Sequence, residues 1–216
     1  MPDNQLTLFF SRDSCALASV AALEETGLDF HAVGVEMSPD GAGDDAFRRL
    51  NPRKQVPVLT VGRRVVRENG AIFQFLNKLC PEAHLLPNDF DEQVRAAEWV
   101  GYFGGTIHPA FRLLFRPQRW VGQALEAQQA LRAETRNYVQ KLLEDLDADL
   151  SGDWVLQQRS ALDFYLFVFA HWAGLIKARL PARLASHHAR VLKLPAMARS
   201  LARHDGALAE RTASSS

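Results

Sequence analysis

Up to Cys80, short apolar runs alternate with segments of helical periodicity. Gln5 to Phe10 (Q-L-T-L-F-F) has the length and character of a buried strand. Ser14 to Thr26 then sets Leu17, Val20, Ala21 and Leu23 at helical spacing, and Gly27 supplies a stop. Phe30 to Val35 returns to a β-branched, period-two pattern, and Asp44 to Leu50 is a short helix ended by Asn51-Pro52. Val56 to Val61 and Arg64 to Arg67 flank Gly62 as a hairpin, and Asn69 to Leu79 is helical again before Cys80-Pro81. The order β-α-β-α-β-β-α requires a mixed sheet, because a helix joins the first two strands and a tight turn joins the last two.

Beyond a Pro/Asn/Asp-containing connector from Pro81 to Phe90, every pattern is helical. Asp91 to Phe115 is interrupted by Gly101, Gly104-Gly105 and Pro109, so a kink or break is expected there. Ala124 to Leu150 carries Leu125, Leu131, Val139, Leu142, Leu143 and Leu146 mostly on one stripe. Asp163 to Ala178 is apolar nearly all round, as a helix inside a core would be. Two more helices, broken at Pro181 and Pro195, lead to a tail, Thr212 to Ser216, that composition marks as irregular. The expected organisation is therefore an α/β domain over 1–80, a linker over 81–90 and an all-helical domain over 91–216.

Composition narrows the function classes. Apolar residues make up 47% and charged residues 23%, ordinary for a globular protein. Lys plus Arg and Asp plus Glu both number 25, which removes the electrostatic case for nucleic acid or an anionic membrane as a partner. The N-terminal residues lack a signal-peptide pattern, and no apolar stretch is long enough to span a bilayer. With two cysteines in unlike contexts, neither a disulfide framework nor a thiolate metal site is expected, and a reducing cytosol is the natural setting.

Three features can carry chemistry. Cys15 follows a strand where a helix begins, and the free N–H groups and positive dipole end of a first turn favour a thiolate; a small buried hydrophobe is the competing reading. Pro57 stands at a strand entrance, where a residue without an N–H marks an edge or bend. Glu68-Asn69 opens a helix: Asn69 is a suitable N-cap, the free N–H groups suit a carboxylate, and Glu68 suits an ammonium. A plain cap with an acidic neighbour is the alternative.

Together these features resemble the cytosolic glutathione transferases. N-P-R-K-Q-V-P-V-L at 51–59 followed by R-E-N-G-A-I at 67–72 is similar to that family's N-P-x-G-x-V-P-x-L and E-S-x-A-I. S-C-A-L-A at 14–18 resembles the A-C-S-L-A of the bacterial beta class. E-W-V-G-Y at 98–102, His108 and F-R-L-L-F-R-P at 111–117 resemble its histidine-bearing helix, and Q-R-S-A-L-D-F-Y-L-F at 158–167 its buried, capping-box helix. The resemblance implies an α/β thioredoxin-like N-terminal domain, an all-α C-terminal domain and a twofold homodimer. It implies a cis Val56-Pro57 bond offering the Val56 backbone to the cysteinyl part of glutathione, with Glu68 and Asn69 on the γ-glutamyl group and Lys54 beside the tripeptide. Cys15 and His108 would be the catalytic residues, no metal would be needed, and Tyr102, Phe103, Phe111, Arg112, Phe115 and Trp172 would be candidates to face a hydrophobic electrophile. Ser160 and Asp163 would serve folding.

The implied activity is conjugation of glutathione to electrophiles, with thiol–disulfide exchange or peroxidase side activity through Cys15. A non-catalytic interaction or stress-response protein on the same fold, of the stringent starvation type, is the alternative. The departures bear on this choice. Asn69 stands where Ser or Gly is usual, Lys54 replaces a Gly, the loop from Met37 to Gly41 has no basic residue, and Gly101 occupies the place of an asparagine. Each lost charged hydrogen bond is worth roughly 1.5–3 kcal/mol.

Overall fold

Leu6, Leu8 and Phe10 of strand β1 (Leu6–Phe10) are buried while Thr7 and Phe9 between them are partly covered, so the strand alternates as its sequence does. In the computed structural model the described residues are 5–38 and 40–214, with side-chain surroundings through His204. Helix α1 (Ala16–Thr26) carries the chain to β2 (Phe30–Gly34), which pairs parallel with β1, Leu8 opposite Ala32. A two-residue ladder, β3 (Met37–Ser38) with β4 (Gly41–Ala42), occupies the region expected as a plain loop. Helix α2 (Asp45–Leu50) follows, capped by the Asp44 carboxylate, which accepts from the Phe47 N–H at 3.0 Å.

Strands β5 (Val58–Val61) and β6 (Arg64–Arg67) close an antiparallel hairpin, and β5 pairs antiparallel with β1, Leu59 opposite Leu8. The sheet order is β2-β1-β5-β6, the mixed arrangement that the alternation requires. Helix α3 (Asn69–Leu79) packs beside α1 on one face, while Phe47 of α2 meets Phe9 on the other with ring centroids 5.6 Å apart. Helix α1 is buried from Ala16 through Glu24, and its alanines allow close approach from every side. It ends at Gly27, whose φ of 68° lets its N–H reach back to the Glu24 carbonyl.

The helical region comprises α4 (Phe90–Tyr102), α5 (His108–Phe115), α6 (Gln118–Val121), α7 (Leu125–Asp149), α8 (Ala161–Leu175), α9 (Ala182–Leu192) and α10 (Pro195–Ser214). The expected break in 91–115 is a wide turn over Phe103–Ile107, where the His108 N–H bonds to the Phe103 carbonyl five residues back. Pro109 lacks an N–H and its ring would collide with the carbonyl of Gly105, and the extra residue in this turn opens room for it. Helix α8 is buried along nearly its whole length, as its apolar composition predicts. Its Asp163 is fully buried: Oδ2 accepts from the Ser160 N–H at 2.7 Å, and Oδ1 meets the Val155 N–H and His187 Nε2, each at 2.9 Å. The capping box thus also pins the preceding loop and α9.

The chain divides into two compact units, Met1–Pro87 with Val191–Ser216, and Asn88–Arg190. Helix α10 therefore belongs with the sheet unit, although pattern alone groups it with the other helices. Buried Glu24 is the reason: Arg199 Nε reaches its Oε2 at 2.6 Å, Arg203 Nε bonds its other oxygen, and Ser200 Oγ donates to the Leu17 carbonyl. The connector expected over 81–90 begins with a tight helical turn at Pro81–Ala83, and Leu85 and Leu86 are buried in the first unit. Helix α10 runs to Ser214, into the tail expected to be irregular; Ser215, Ser216 and Met1 to Asn4 lie outside the described residues. Among the described residues no helix is long and apolar enough to cross a membrane.

Candidate functional site

The turn between β1 and α1 is built by Ser14, whose hydroxyl donates to the Ser11 carbonyl at 2.6 Å and accepts from the Ala16 N–H at 3.3 Å. That leaves Cys15 at the cap of α1 with its side chain aimed across the unit. Its thiol, 7% exposed, donates to the Val56 carbonyl at 3.7 Å. Ser14, not Cys15, serves the Ala16 N–H at the start of α1.

The acceptor belongs to the loop 51–57, organised by buried Asn51. Its Nδ2 donates to the Gln55 carbonyl at 2.7 Å and its Oδ1 accepts from the Arg53 N–H at 3.2 Å. Lys54 sits at a φ of 55°, the left-handed region that favours the glycine it replaces. Its carbonyl accepts from the Ala42 N–H, and a Cβ on Gly41 would come 2.5 Å from Lys54 Cβ, which accounts for Gly41. The Val56-Pro57 bond is cis.

Asn69 does not cap α3. Glu68 holds the cap position, at a φ of 71°, and Asn69 is the first helical residue. The Asn69 side chain is buried between the helices, accepting from Ser19 Oγ at 2.6 Å and donating to the Cys15 carbonyl at 3.1 Å. Both bonds tie the start of α3 to the start of α1, so what Asn69 offers a ligand is its backbone. The Glu68 side chain makes no cap bond and instead meets Arg53 Nη1 at 3.1 Å, each side chain 66% exposed. Cys15, Val56, Pro57 and Asn69 are thus directly joined in the first unit, with Glu68 and Lys54 on the adjoining loop and helix start. Sequence reasoning missed two members, Arg53 and Ser19. Arg53 lay in view inside N-P-R-K-Q; Ser19 gives no local signal.

In the helical unit, His108 begins α5 directly after the wide turn, its ring centroid 5.2 Å from that of Trp172 and 6.4 Å from that of Phe169. Burial among these rings, with the positive charge of Arg112 adding, pushes its pKa down to about 4. The imidazole is therefore neutral near pH 7. Of the electrophile-facing candidates, Phe111 and Trp172 are core residues, 1% and 4% exposed, and Phe103 is fully buried. Tyr102 and Arg112 are half-buried, and Phe115 is 38% exposed. Among the described residues no three His, Cys, Asp or Glu side chains group as metal ligands would.

A four-stranded mixed sheet in βαβαββα order, with a cysteine capping its first helix beside a cis-proline loop, defines a thioredoxin-like domain. The family model described as glutathione S-transferase, N-terminal domain, matches residues 14–79. Glutathione S-transferase GstA of Escherichia coli O157:H7 is 31% identical over 181 residues, covering 81% of this chain and 86% of that protein. The solved bacterial beta class glutathione S-transferase of Sphingomonas chungbukensis superimposes with a TM-score of 0.79 at 31% identity, covering 92% of this chain and 98% of its own. A sphingomonad glutathione S-transferase solved in complex with glutathione gives a TM-score of 0.78, also at 31% identity and with the same coverage. The chain belongs to the glutathione S-transferase family.

Proposed function

We propose that this chain binds glutathione in its first unit and transfers it to a hydrophobic electrophile. The observation that carries the proposal is the approach of the Cys15 thiol to the Val56 carbonyl at 3.7 Å, with the start of α3 tied to the Cys15 carbonyl through Asn69. The Val56 backbone takes the cysteinyl portion strand to strand, which sets the glutathione sulfur beside Cys15. Glu68 takes the ammonium, the Asn69 backbone N–H and its helix neighbours take the γ-glutamyl carboxylate, and Arg53 and Lys54 are the cations for the glycyl carboxylate. They stand in for the basic residue missing from the loop 37–41.

In the transfer, the glutathione sulfur bonds to the acceptor carbon, the leaving group departs with its electron pair, and the thiol proton is released. The protein lowers the barrier by positioning the sulfur and stabilising its charge as the proton leaves. Cys15 is one hydrogen-bond donor for this; neutral His108 is the second residue assigned to the step. Tyr102, Arg112 and Phe115 are the substrate candidates that keep exposed surface. A twofold homodimer is part of the same proposal, to be read as a light-scattering mass twice the 24.1 kDa of the chain.

Calorimetric titration with glutathione tests the binding step, and the rate with 1-chloro-2,4-dinitrobenzene tests the transfer. Saturable heat together with turnover supports the proposal. Absence of heat at millimolar glutathione points instead to a protein that uses this fold without the tripeptide. Cys15 forms no disulfide and its sulfur lies against the Val56 backbone, which supports one further reaction. Cys15 would attack oxidised glutathione, forming a Cys15–glutathione disulfide, releasing one glutathione thiolate and losing its proton to solvent.

A further inference from the structure

Ser19 lies inside α1, fully buried, one turn beyond Cys15 and on the same face of the helix. A serine within a helix ordinarily turns its hydroxyl to the carbonyl four residues back, which here belongs to Cys15. Ser19 Oγ instead donates to Asn69 Oδ1 at 2.6 Å, and Asn69 Nδ2 donates to the Cys15 carbonyl at 3.1 Å. The Asn69 amide is thus inserted between two points one turn apart on α1. Its orientation follows from its partners. The Cys15 carbonyl can only accept, so Nδ2 must face it, and Oδ1 then faces a hydroxyl that has to donate. Without that hydroxyl the amide is held at one end only.

Little else fixes the start of α3 in direction. Ile72, Phe73 and Leu76 seat the body of the helix by burial, and apolar packing of that kind is non-directional. The first turn follows Glu68, which sits at a φ of 71°, makes no cap bond and pairs with Arg53 only at an exposed surface. The helix's own bonding starts where the Ile72 N–H meets the Glu68 carbonyl at 3.0 Å. Helix α1, by contrast, is anchored to α10: Ser200 Oγ donates to the Leu17 carbonyl at 3.3 Å, and Arg199 Nε reaches the Glu24 carboxylate at 2.6 Å. The Ser19–Asn69 pair therefore sets the start of α3 against a fixed α1.

We propose that Ser19 is a positioning residue for γ-glutamyl thiols, glutathione and its γ-glutamylcysteine part. The inference rests on the reading in which the ligand sulfur lies beside Cys15 and the start of α3 takes the γ-glutamyl group. Those two points of the ligand are separated by a fixed run of bonds, so the spacing between the starts of α1 and α3 selects for it. Ser19, fully buried, touches neither point. It acts through Asn69: the amide ties the Cys15 backbone to the first residue of α3, and the Ser19 hydroxyl keeps that amide turned so that the tie is made.

The test compares the wild type, Ser19→Ala, Asn69→Ala and the double variant by calorimetry and by steady-state rates, with glutathione and with γ-glutamylcysteine as the thiol. Ser19→Ala should raise Kd and KM for both thiols about fivefold while KM for 1-chloro-2,4-dinitrobenzene stays unchanged. Asn69→Ala should weaken both thiols at least as much. In that background the Ser19 hydroxyl turns to the Cys15 carbonyl, so removing it as well should weaken glutathione no further. A role in packing alone would lower the melting temperature and leave KM for the thiols unchanged; that result in either single variant would overturn the proposal, as would losses that add in the double variant. No heat from glutathione in the wild type would overturn the binding reading and this inference together. Heat in the wild type with undiminished affinity in Ser19→Ala would overturn the inference alone.

Discussion

The thiol of Cys15 and the carbonyl of Val56 are brought together from positions 41 residues apart, and the hydrogen bond between them takes one of the two lone pairs of that carbonyl. In the proposed binding mode the cysteinyl backbone of glutathione takes the other, which sets the ligand's sulfur beside that of Cys15. Cys15→Ala is therefore expected to lose the glutathionyl adduct formed with oxidised glutathione, read as a single added group by intact-protein mass spectrometry. Cys80, whose thiol donates to Glu82 at 3.0 Å, should remain unmodified. An adduct on Cys80 would refute the exchange reaction.

Glu68 separates binding from stability. Its pair with Arg53 is exposed on both sides, and such pairs contribute within about 0.5 kcal/mol. Glu68→Gln should leave the melting temperature nearly unchanged while weakening glutathione about tenfold, the usual cost of a lost charged hydrogen bond. Glu68→Gly should raise stability by up to about 1 kcal/mol, because its φ of 71° suits glycine, and should still weaken binding. Equal affinity in both variants and the wild type would remove Glu68 from the ammonium role.

Lys54 offers the complementary case. It holds a left-handed backbone where only its Cβ is disfavoured, and both of its backbone hydrogen bonds survive substitution. Lys54→Gly should stabilise the fold by about 0.5–1 kcal/mol in urea unfolding, after the greater flexibility of glycine in the unfolded chain is offset. If Lys54 is a cation for the glycyl carboxylate, the same variant should bind glutathione more weakly.

His108 predicts a dependence on pH. Its pKa of about 4 in the folded protein lies below the ordinary 6.5, so the unfolded chain takes up a proton that the folded chain refuses. Stability from this group is complete above about pH 6.5 and is lost as pH falls towards 4. The loss at pH 4.5 is about 2 kcal/mol, allowing for partial solvent contact. His108→Gln should reduce the drop in unfolding free energy between pH 7 and 4.5 by that amount. The wild-type transfer rate should show no His108 titration between pH 5.5 and 8.

Asp163 is fully buried and bonded to the backbone of Ser160 and Val155 and to His187. Asp163→Ala strands those donors together, and should cost at least about 3 kcal/mol by chemical denaturation. Ser160→Ala removes a hydroxyl that accepts from the Leu162 N–H at 3.3 Å and donates to Asp163 Oδ2 at a long 3.5 Å, and should cost about 1 kcal/mol.

The order of strands and helices, the hairpin at Gly62, the break before Pro109 and the Ser160–Asp163 box were all legible along the chain. Each depends on residues within a few positions of one another: apolar spacing, a glycine or proline, or a cap with its partner three residues on. The joint spacing of Cys15, Val56-Pro57 and Glu68-Asn69 carried the resemblance for the same reason, since a motif lists residue types in order.

What tertiary structure decided is which partner each polar group takes. Asn69 reads locally as a cap, yet Ser19 and the Cys15 carbonyl, 50 and 54 residues away, claim its side chain. Cys15 reads as a helix-start residue, yet its sulfur meets the Val56 carbonyl, 41 residues away. Glu24 gives no local signal in the sequence and is the buried anchor for α10. Phe111 and Trp172 read as candidates to face a substrate, and packing leaves them 1% and 4% exposed. Secondary structure follows from backbone bonds between near neighbours, which composition encodes directly. A side chain's hydrogen bonds depend on what the packed chain delivers within about 3 Å, and that distance is set only when the elements have come together.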